Sequence, residues 1–417
     1  MASAPHDSDP FETVSLAQLR ERSSIKWNHF GPDVLPLWVA EMDTVPDPAI
    51  AAAVAEAFSR GDTGYFAGTA LFDAYSDFAA ERWGFEGAGS LSSIAVADVM
   101  TGVYEVIRVL TAPGERVIVT SPVYPPFFGF IEHAERVPVE VPLTSGGRLD
   151  LEALDAAFAE ARADGQGAAM LLCNPHNPTG TVHSRSELQA LAVLAKVHGV
   201  RVISDEIHSP LVYDAASFTP WLSIDDAGFA VFSASKAWNL AGMRIALVMA
   251  GAEATPDLER IPEVVHHGAH LLAGVAHVAA LTHARGWLDR TIAALEQRRD
   301  LLAELLREHA PSVGYRIPEA TFLGWLDFSR TPLAQFDAPV RPGLVTLSVG
   351  PAAEIAREAK VGLSAGEAFG TGGANHVRLN FACSREVLTA AIRQIGALLE
   401  SMEQHPSATT EPSTSPE

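Results

Sequence analysis

Two stretches decide the fold: VRVISDEI, Val200–Ile207, and FAVFSASKAWNLAGMR, Phe229–Arg244. Each opens on an apolar run and ends in polar side chains. An unbroken apolar run of this length is the pattern of a parallel strand buried on both faces. In an open α/β sheet the carboxyl ends of such strands face the ligand crevice. Asp205 and Lys236, 31 residues apart, are thereby brought to one rim.

Working outward, ERVIVTSP (115–122), AAMLLCNP (168–175) and IALVMAG (245–251) read as further strands. YEVIRVLTA (104–112), SRSELQALAVLAKVHG (184–199) and PEVVHHGAHLLAGVAHVAALTHA (262–284) read as helices. The second opens on a serine with Glu187 three residues on and closes at Gly199, ordinary helix punctuation. This alternation predicts an α/β domain with a mostly parallel central sheet. After about Gly286 the texture changes to a long helix (287–310), two strand-like runs (319–328 and 374–383) and a last helix (385–402), a smaller α+β domain. The expected division is 1–48 as an N-terminal segment joining the small domain, 49–286 as the large domain and 287–403 as the small one. Residues 1–10 look loose, and 404–417, rich in Pro, Ser, Thr and Glu, are expected to be disordered.

The chain has 417 residues and a formal net charge of −22, which argues against nucleic acid or an anionic membrane as partner. Cys173 and Cys383 sit in apolar runs and cannot build a disulfide framework, the usual pattern of a reducing compartment. The amino terminus lacks a basic stretch followed by an apolar one, and no run of eighteen apolar residues occurs. A cytoplasmic protein is expected.

The lysine carries the chemistry. A lysine that forms a Schiff base with pyridoxal phosphate needs hydroxyls and an arginine for the phosphate and a carboxylate for the pyridine nitrogen. It also needs surroundings that release its proton. Ser233, Ser235, Arg244 and Asp205 supply the first two from one compact stretch. Read alone, S-x-S-K is equally a surface lysine beside unrelated serines, and the strand context tips the balance.

Other constellations have plain alternatives. CNPHNPTG (173–180) is a turn by composition, but it also presents Asn177 as a donor to the pyridoxal 3′-oxygen. Thr101, Gly102 and Val103 are placed at a helix N-terminus, where free N–H groups favour phosphate. Tyr124, beyond a strand in VTSPVYPPFFGF, could stack on a pyridine or simply be core. Arg378, in an apolar run, suits a bidentate substrate carboxylate or an internal ion pair. Trp38 and Glu41, in the aperiodic segment 25–48, could line the crevice on the substrate side, although such tryptophans are more often packing anchors. His266, His267 and His270 have helical spacing but no HExxH pattern and no carboxylate ligand, so no metal is expected.

Together these pieces resemble the fold-type I pyridoxal-phosphate enzymes of the class I/II aminotransferase superfamily, from about Phe11 to Met402. Within it the chain is most similar to the MalY/PatB group of cystathionine β-lyases, C–S lyases. The likeness rests on LPLWVAEMD (35–43), CNPHNPTG, SDEIHSPLVY (204–213), SASKAWNLAGMR, GLSAGEAFG (362–370) and HVRLNFA (376–382). It implies that Lys236 carries the cofactor and moves protons, Asp205 pairs with the ring nitrogen, Asn177 meets the 3′-oxygen and Tyr124 stacks. It further implies that Ser233, Ser235, Arg244 and the Gly102–Val103 amides bind phosphate, that Tyr65 reaches it from the partner subunit of a homodimer with shared active sites, and that Arg378 clamps the carboxylate of a small amino-acid substrate. His208 stands where many aminotransferases carry a tyrosine, the DEIH form of the lyase group; packing against the next loop is its plain alternative. Glu41 and Thr44 depart from the group's usual Asp and Phe, which bears on the substrate side-chain pocket. The implied activity is cleavage of cystathionine or related S-substituted cysteines. An aminotransferase using the same residues is the rival, and a binding protein that merely retains cofactor is a weaker one.

Overall fold

The computed structural model describes residues 9–336, 340, 342, 347 and 349–405. The expected tail lies outside the described residues from 406 on; Gln404 itself ends the last helix, Arg385–Gln404. Of the amino-terminal stretch taken as loose, Pro10 is buried, and Asp9 caps a short helical turn by accepting from the Phe11 amide at 3.0 Å.

A seven-stranded sheet organises the chain. Its spatial order is Ser92–Val96, Ala246–Ala250, Phe229–Phe232, Arg201–Asp205, Ala168–Cys173, Arg116–Val119 and Val137–Glu140. Ala246–Ala250 runs antiparallel to both its neighbours and every other pairing is parallel. The apolar runs are continuous because both faces are covered. Ile118, Met170, Leu172, Val202, Ala230 and Phe232 pack into one core. Val117, Val119, Leu171, Ile203, Phe229 and Val231, one residue out of phase, pack into the other. Pleat alternation makes two cores from one sheet.

The helix Arg185–His198 has the capping box its sequence predicts, Ser184 with Glu187, and ends at Gly199 with φ 66°. The stretch 262–284 is not one helix. A 3₁₀ turn, Glu263–Gly268, precedes Leu271–His283, and His270 caps that helix through Nδ1, which accepts from the Ala273 amide at 3.3 Å. The proline at 262 and the glycine at 268 break the pattern.

A second, antiparallel sheet orders Ser364–Ala365, His376–Asn380, Leu323–Asp327 and Gly314–Tyr315. The aperiodic segment near the amino terminus joins it: Leu35–Pro36 pairs in parallel with Val361–Gly362, and Asn380 Nδ2 donates to the carbonyls of Val39 and Glu41 at 2.7 and 2.6 Å. A buried ion pair, Lys26 Nζ to Asp43 Oδ1 at 2.7 Å, fixes the far end of this segment. Gly180 brings the loop after Ala168–Cys173 against the same region. Its φ is +66°, and a Cβ there would stand 2.2 Å from Pro318 Cβ, so the close approach admits only glycine.

Candidate active site

The carboxyl ends of the parallel strands open on one cavity of about 250 Å³. Asp205 ends its strand level with Cys173 on one side and Val231 on the other, and Ser233 follows two residues after Val231. Strand register therefore sets Asp205, the Asn177 loop and Lys236 side by side. Asn177, Asp205, His208, Ser233, Ser235, Lys236, Arg244, Tyr124 and Arg378 all line the cavity.

Lys236 Nζ donates to the carbonyl of Ala40 at 3.2 Å. Burial, reinforced by the Arg378 guanidinium, pulls its pKa down to about 8. Asp205 is buried, and Oδ1 accepts from the Ile207 amide at 3.1 Å. Burial pushes its carboxyl up to about 7, with Lys236 opposing. Burial, then Lys236 and Arg378, hold His208 down at about 3, so its ring is neutral, with a buried Nδ1 that has no hydrogen-bond partner among the described residues.

Arg378 comes from the middle of a small-sheet strand, opposite Ser364 and Trp325. Its Nη1 donates to Asn177 Oδ1 at 3.1 Å, and its Nη2 to the Trp38 carbonyl at 3.1 Å and to Ser364 Oγ at 3.3 Å. The guanidinium lies 5.1 Å from the Phe369 ring centroid. No described carboxylate lies within ion-pairing distance, so among the described residues the internal ion pair weighed as its alternative is not formed. Its Nε is buried and lacks a partner among the described residues. Such a cation is suited to an incoming carboxylate.

At the other end, Ser233 Oγ donates to the Ile245 carbonyl at 2.8 Å and stands 3.1 Å from Ser235 Oγ. Arg244 is exposed and paired with Asp98. Asp98 caps the helix Val99–Leu110, its Oδ1 accepting from the Thr101 amide at 2.8 Å.

Four expected residues stand apart from the cavity lining. Gly102 and Val103 lie inside the helix: the Gly102 amide already donates to the Asp98 carbonyl at 3.0 Å. A Cβ on Gly102 would meet Val248 Cγ2 at 2.6 Å, so this glycine serves helix–sheet packing. The residues of this helix that line the cavity are its first two, Val99 and Met100, which the sequence reading missed. The Trp38 ring is buried, with His29 and Phe30 as ring neighbours at 5.0 and 6.2 Å; its carbonyl, not its ring, serves the site by holding Arg378. Tyr65 is 90% exposed and away from the cavity of its own chain.

A raised carboxyl without a cationic hydrogen-bond partner, a low-pKa amine, an amide and a hydroxyl-rich end with an arginine make one coherent donor set. It fits pyridoxal phosphate: a basic ring nitrogen answers Asp205, an aldehyde answers Lys236 and a phosphate answers Ser233, Ser235 and Arg244. The fold and site thus define the class of pyridoxal-phosphate enzymes built on a mostly parallel sheet. The chain belongs to the family "Aminotransferase class I and II", whose model matches residues 35–395. It is 47% identical over 399 residues to a Mycobacterium leprae (strain TN) protein named provisionally as a cystathionine beta-lyase, covering 94% of this chain and 98% of that one. A Corynebacterium glutamicum protein named cystathionine beta-lyase is 34% identical over 391 residues, 92% of this chain and 99% of the relative. A Corynebacterium diphtheriae crystal structure, described provisionally as a PLP-dependent beta-cystathionase, superposes with a TM-score of 0.81. It is 31% identical and spans 93% of this chain and 98% of the other.

Proposed function

We propose that this protein is a pyridoxal-phosphate-dependent C–S β-lyase that cleaves cystathionine or related S-substituted cysteines to a thiol, pyruvate and ammonia. The observation that carries it is Arg378 and Lys236 facing one cavity, the guanidinium free of any described carboxylate and the amine held down at about 8. The names of the relatives at 47% and 34% identity support the β-lyase choice within the family.

When bound, the cofactor supplies the electron sink that makes the α-proton acidic and lets a β-substituent leave. The chain's residues do the rest. Arg378 takes the substrate carboxylate, with its buried Nε free among the described residues while the Trp38 carbonyl holds the guanidinium in place. Lys236 takes the α-proton, since a pKa of about 8 leaves a working fraction unprotonated near neutrality. Asp205 keeps the ring nitrogen protonated. At about 4 Å such an ion pair is worth roughly 4 kcal/mol at an effective dielectric of 20. Asn177 would meet the 3′-oxygen, Tyr124 would pack on the ring, and Ser233, Ser235, Arg244 and the helix start at Val99 and Met100 would hold the phosphate. His208, neutral and lining the same cavity as Lys236, would add no charge beside the cofactor. The thiolate leaves from the β-carbon, and the released enamine hydrolyses to pyruvate and ammonia.

We take the active unit to be a cytoplasmic homodimer. The exposed Phe58 and Tyr65 support the dimer, together with the apolar face built from Ile50, Val54, Leu240 and Met243. Two unpaired buried cysteines support the compartment. Among the described residues no helix is long and apolar enough to cross a membrane. The division into residues 49–286 and 287–403, with 1–48 joining the latter, accords with the pairing of Leu35–Pro36 to Val361–Gly362.

A panel of cystathionine, cystine, S-methylcysteine and aspartate, each assayed for pyruvate and for transfer of the amino group to a keto acid, tests the activity. Pyruvate from the thioethers supports it. Amino transfer without pyruvate makes the protein an aminotransferase.

A further inference from the structure

The hydroxyl-rich end of the cavity contains a carboxylate. Asp98 lines it with Ser233, Ser235 and Arg244, and one oxygen of Asp98 pairs with Arg244. The other oxygen is committed to the Thr101 amide, so Asp98 sits at the mouth of the helix dipole with its charge turned toward the arginine. The amides next in line, Val99 and Met100, are the first two of the helix and have no intrahelical acceptor. A phosphate entering this end therefore meets two donors, two hydroxyls, a guanidinium and one like charge. Arg244 is mostly exposed while Asp98 is not, with side-chain exposures of 68% and 20%. The arginine is the solvent-facing member of the pair, and a surface pair of this kind is held weakly.

We propose that Asp98 is an internal competitor for the cofactor's phosphate: it holds Arg244 as counter-ion in the cofactor-free protein, yields it on binding, and so sets how tightly the cofactor is retained. This rests on the pyridoxal-phosphate reading of the cavity. With the carboxylate removed, Arg244 is released to the phosphate and a like-charge repulsion disappears. Both effects have the same sign. Removal of Asp98's charge tightens binding.

Asp98→Asn keeps the helix cap, because asparagine caps as well as aspartate, and Asp98→Ser is a second capping replacement of different shape. Apoprotein of the wild type and of both variants is titrated with pyridoxal phosphate by equilibrium dialysis, and cofactor release is followed after dilution. Both variants are expected to bind about tenfold more tightly and to release more slowly, in line with the ordinary size of a charge-pair effect. In parallel, inorganic phosphate should raise the Tm of the variant apoproteins more than that of the wild type. In an Arg244→Ala background the phosphate-binding advantage of Asp98→Asn should shrink by more than half, since only the repulsion remains. Unchanged affinity in both variants would make Asp98 a helix cap alone and overturn the proposal. Weaker affinity would overturn it too, by showing that Asp98 aims Arg244 at the phosphate. Wild-type protein that binds no pyridoxal phosphate at all would instead overturn the cofactor reading.

Discussion

Arg378 Nη1 donates to Asn177 Oδ1 at 3.1 Å, joining a central strand of the small sheet to the loop that follows a central strand of the large one. The two side chains are 201 positions apart in sequence. In the proposed function Asn177 serves the cofactor and Arg378 the substrate, so their bond ties the two halves of the site together.

Arg378→Lys should raise KM for every α-amino acid substrate by about tenfold to a hundredfold while cofactor stays bound. A planar fork that can reach Asn177, Trp38 and a carboxylate has no equivalent in an ammonium group. Steady-state kinetics across the panel, with cofactor content measured by absorbance, checks this. An unchanged KM would make Arg378 structural.

Lys236→Ala should abolish turnover and the visible absorption of lysine-linked cofactor, whereas borohydride should fix cofactor to the wild type at Lys236. Peptide mapping of the reduced protein checks the position. Label on another lysine would remove Lys236 from the centre of the site.

The raised Asp205 carboxyl has a consequence for cofactor-free protein. A carboxyl whose folded pKa lies above its unfolded value of 3.8 adds stability at low pH, and that stability is lost as pH rises through about 7. Asp205→Asn removes the titration. The variant apoprotein should therefore gain in Tm relative to wild type as pH is raised from 5 to 8. A Tm difference that is flat over this range would mean that Asp205 already has a cationic partner.

Tyr65 and Lys236 should complement each other across subunits. Mixed under subunit exchange, inactive Tyr65→Ala and Lys236→Ala proteins form heterodimers with one site carrying both defects and one carrying neither, so up to about half of the heterodimers' normal activity returns. No recovery in verified heterodimers would place Tyr65 within its own chain's chemistry.

The large sheet was legible because its strands are apolar without interruption, and Asp205, Asn177 and Lys236 were legible because they stand where those runs stop. The two edge strands were not. Ser92–Val96 begins with two serines, and Val137–Glu140 carries Pro138, which an edge strand tolerates and a sequence reading discounts. The start of the helix Val99–Leu110 was misplaced by about one turn because Gly102 attracted the reading. Asp98, an N-cap residue type, was the better mark of where the helix starts. Contacts made by backbone carbonyls, such as that of Trp38 to Arg378, leave no trace in residue identity.

Those carbonyls have one more consequence. Trp38 and Ala40, two residues apart on one strip of chain, accept from Arg378 and from Lys236 respectively. The separation of the guanidinium and the amine is thus gauged by a fixed length of main chain, whatever side chains the strip carries. A substrate that must offer its carboxylate to the guanidinium and its α-proton to the amine is measured against that gauge. Amino acids with the amine one carbon further from the carboxylate should fit poorly, and a single-residue deletion between Trp38 and Ala40 should damage recognition more than any exchange of Val39.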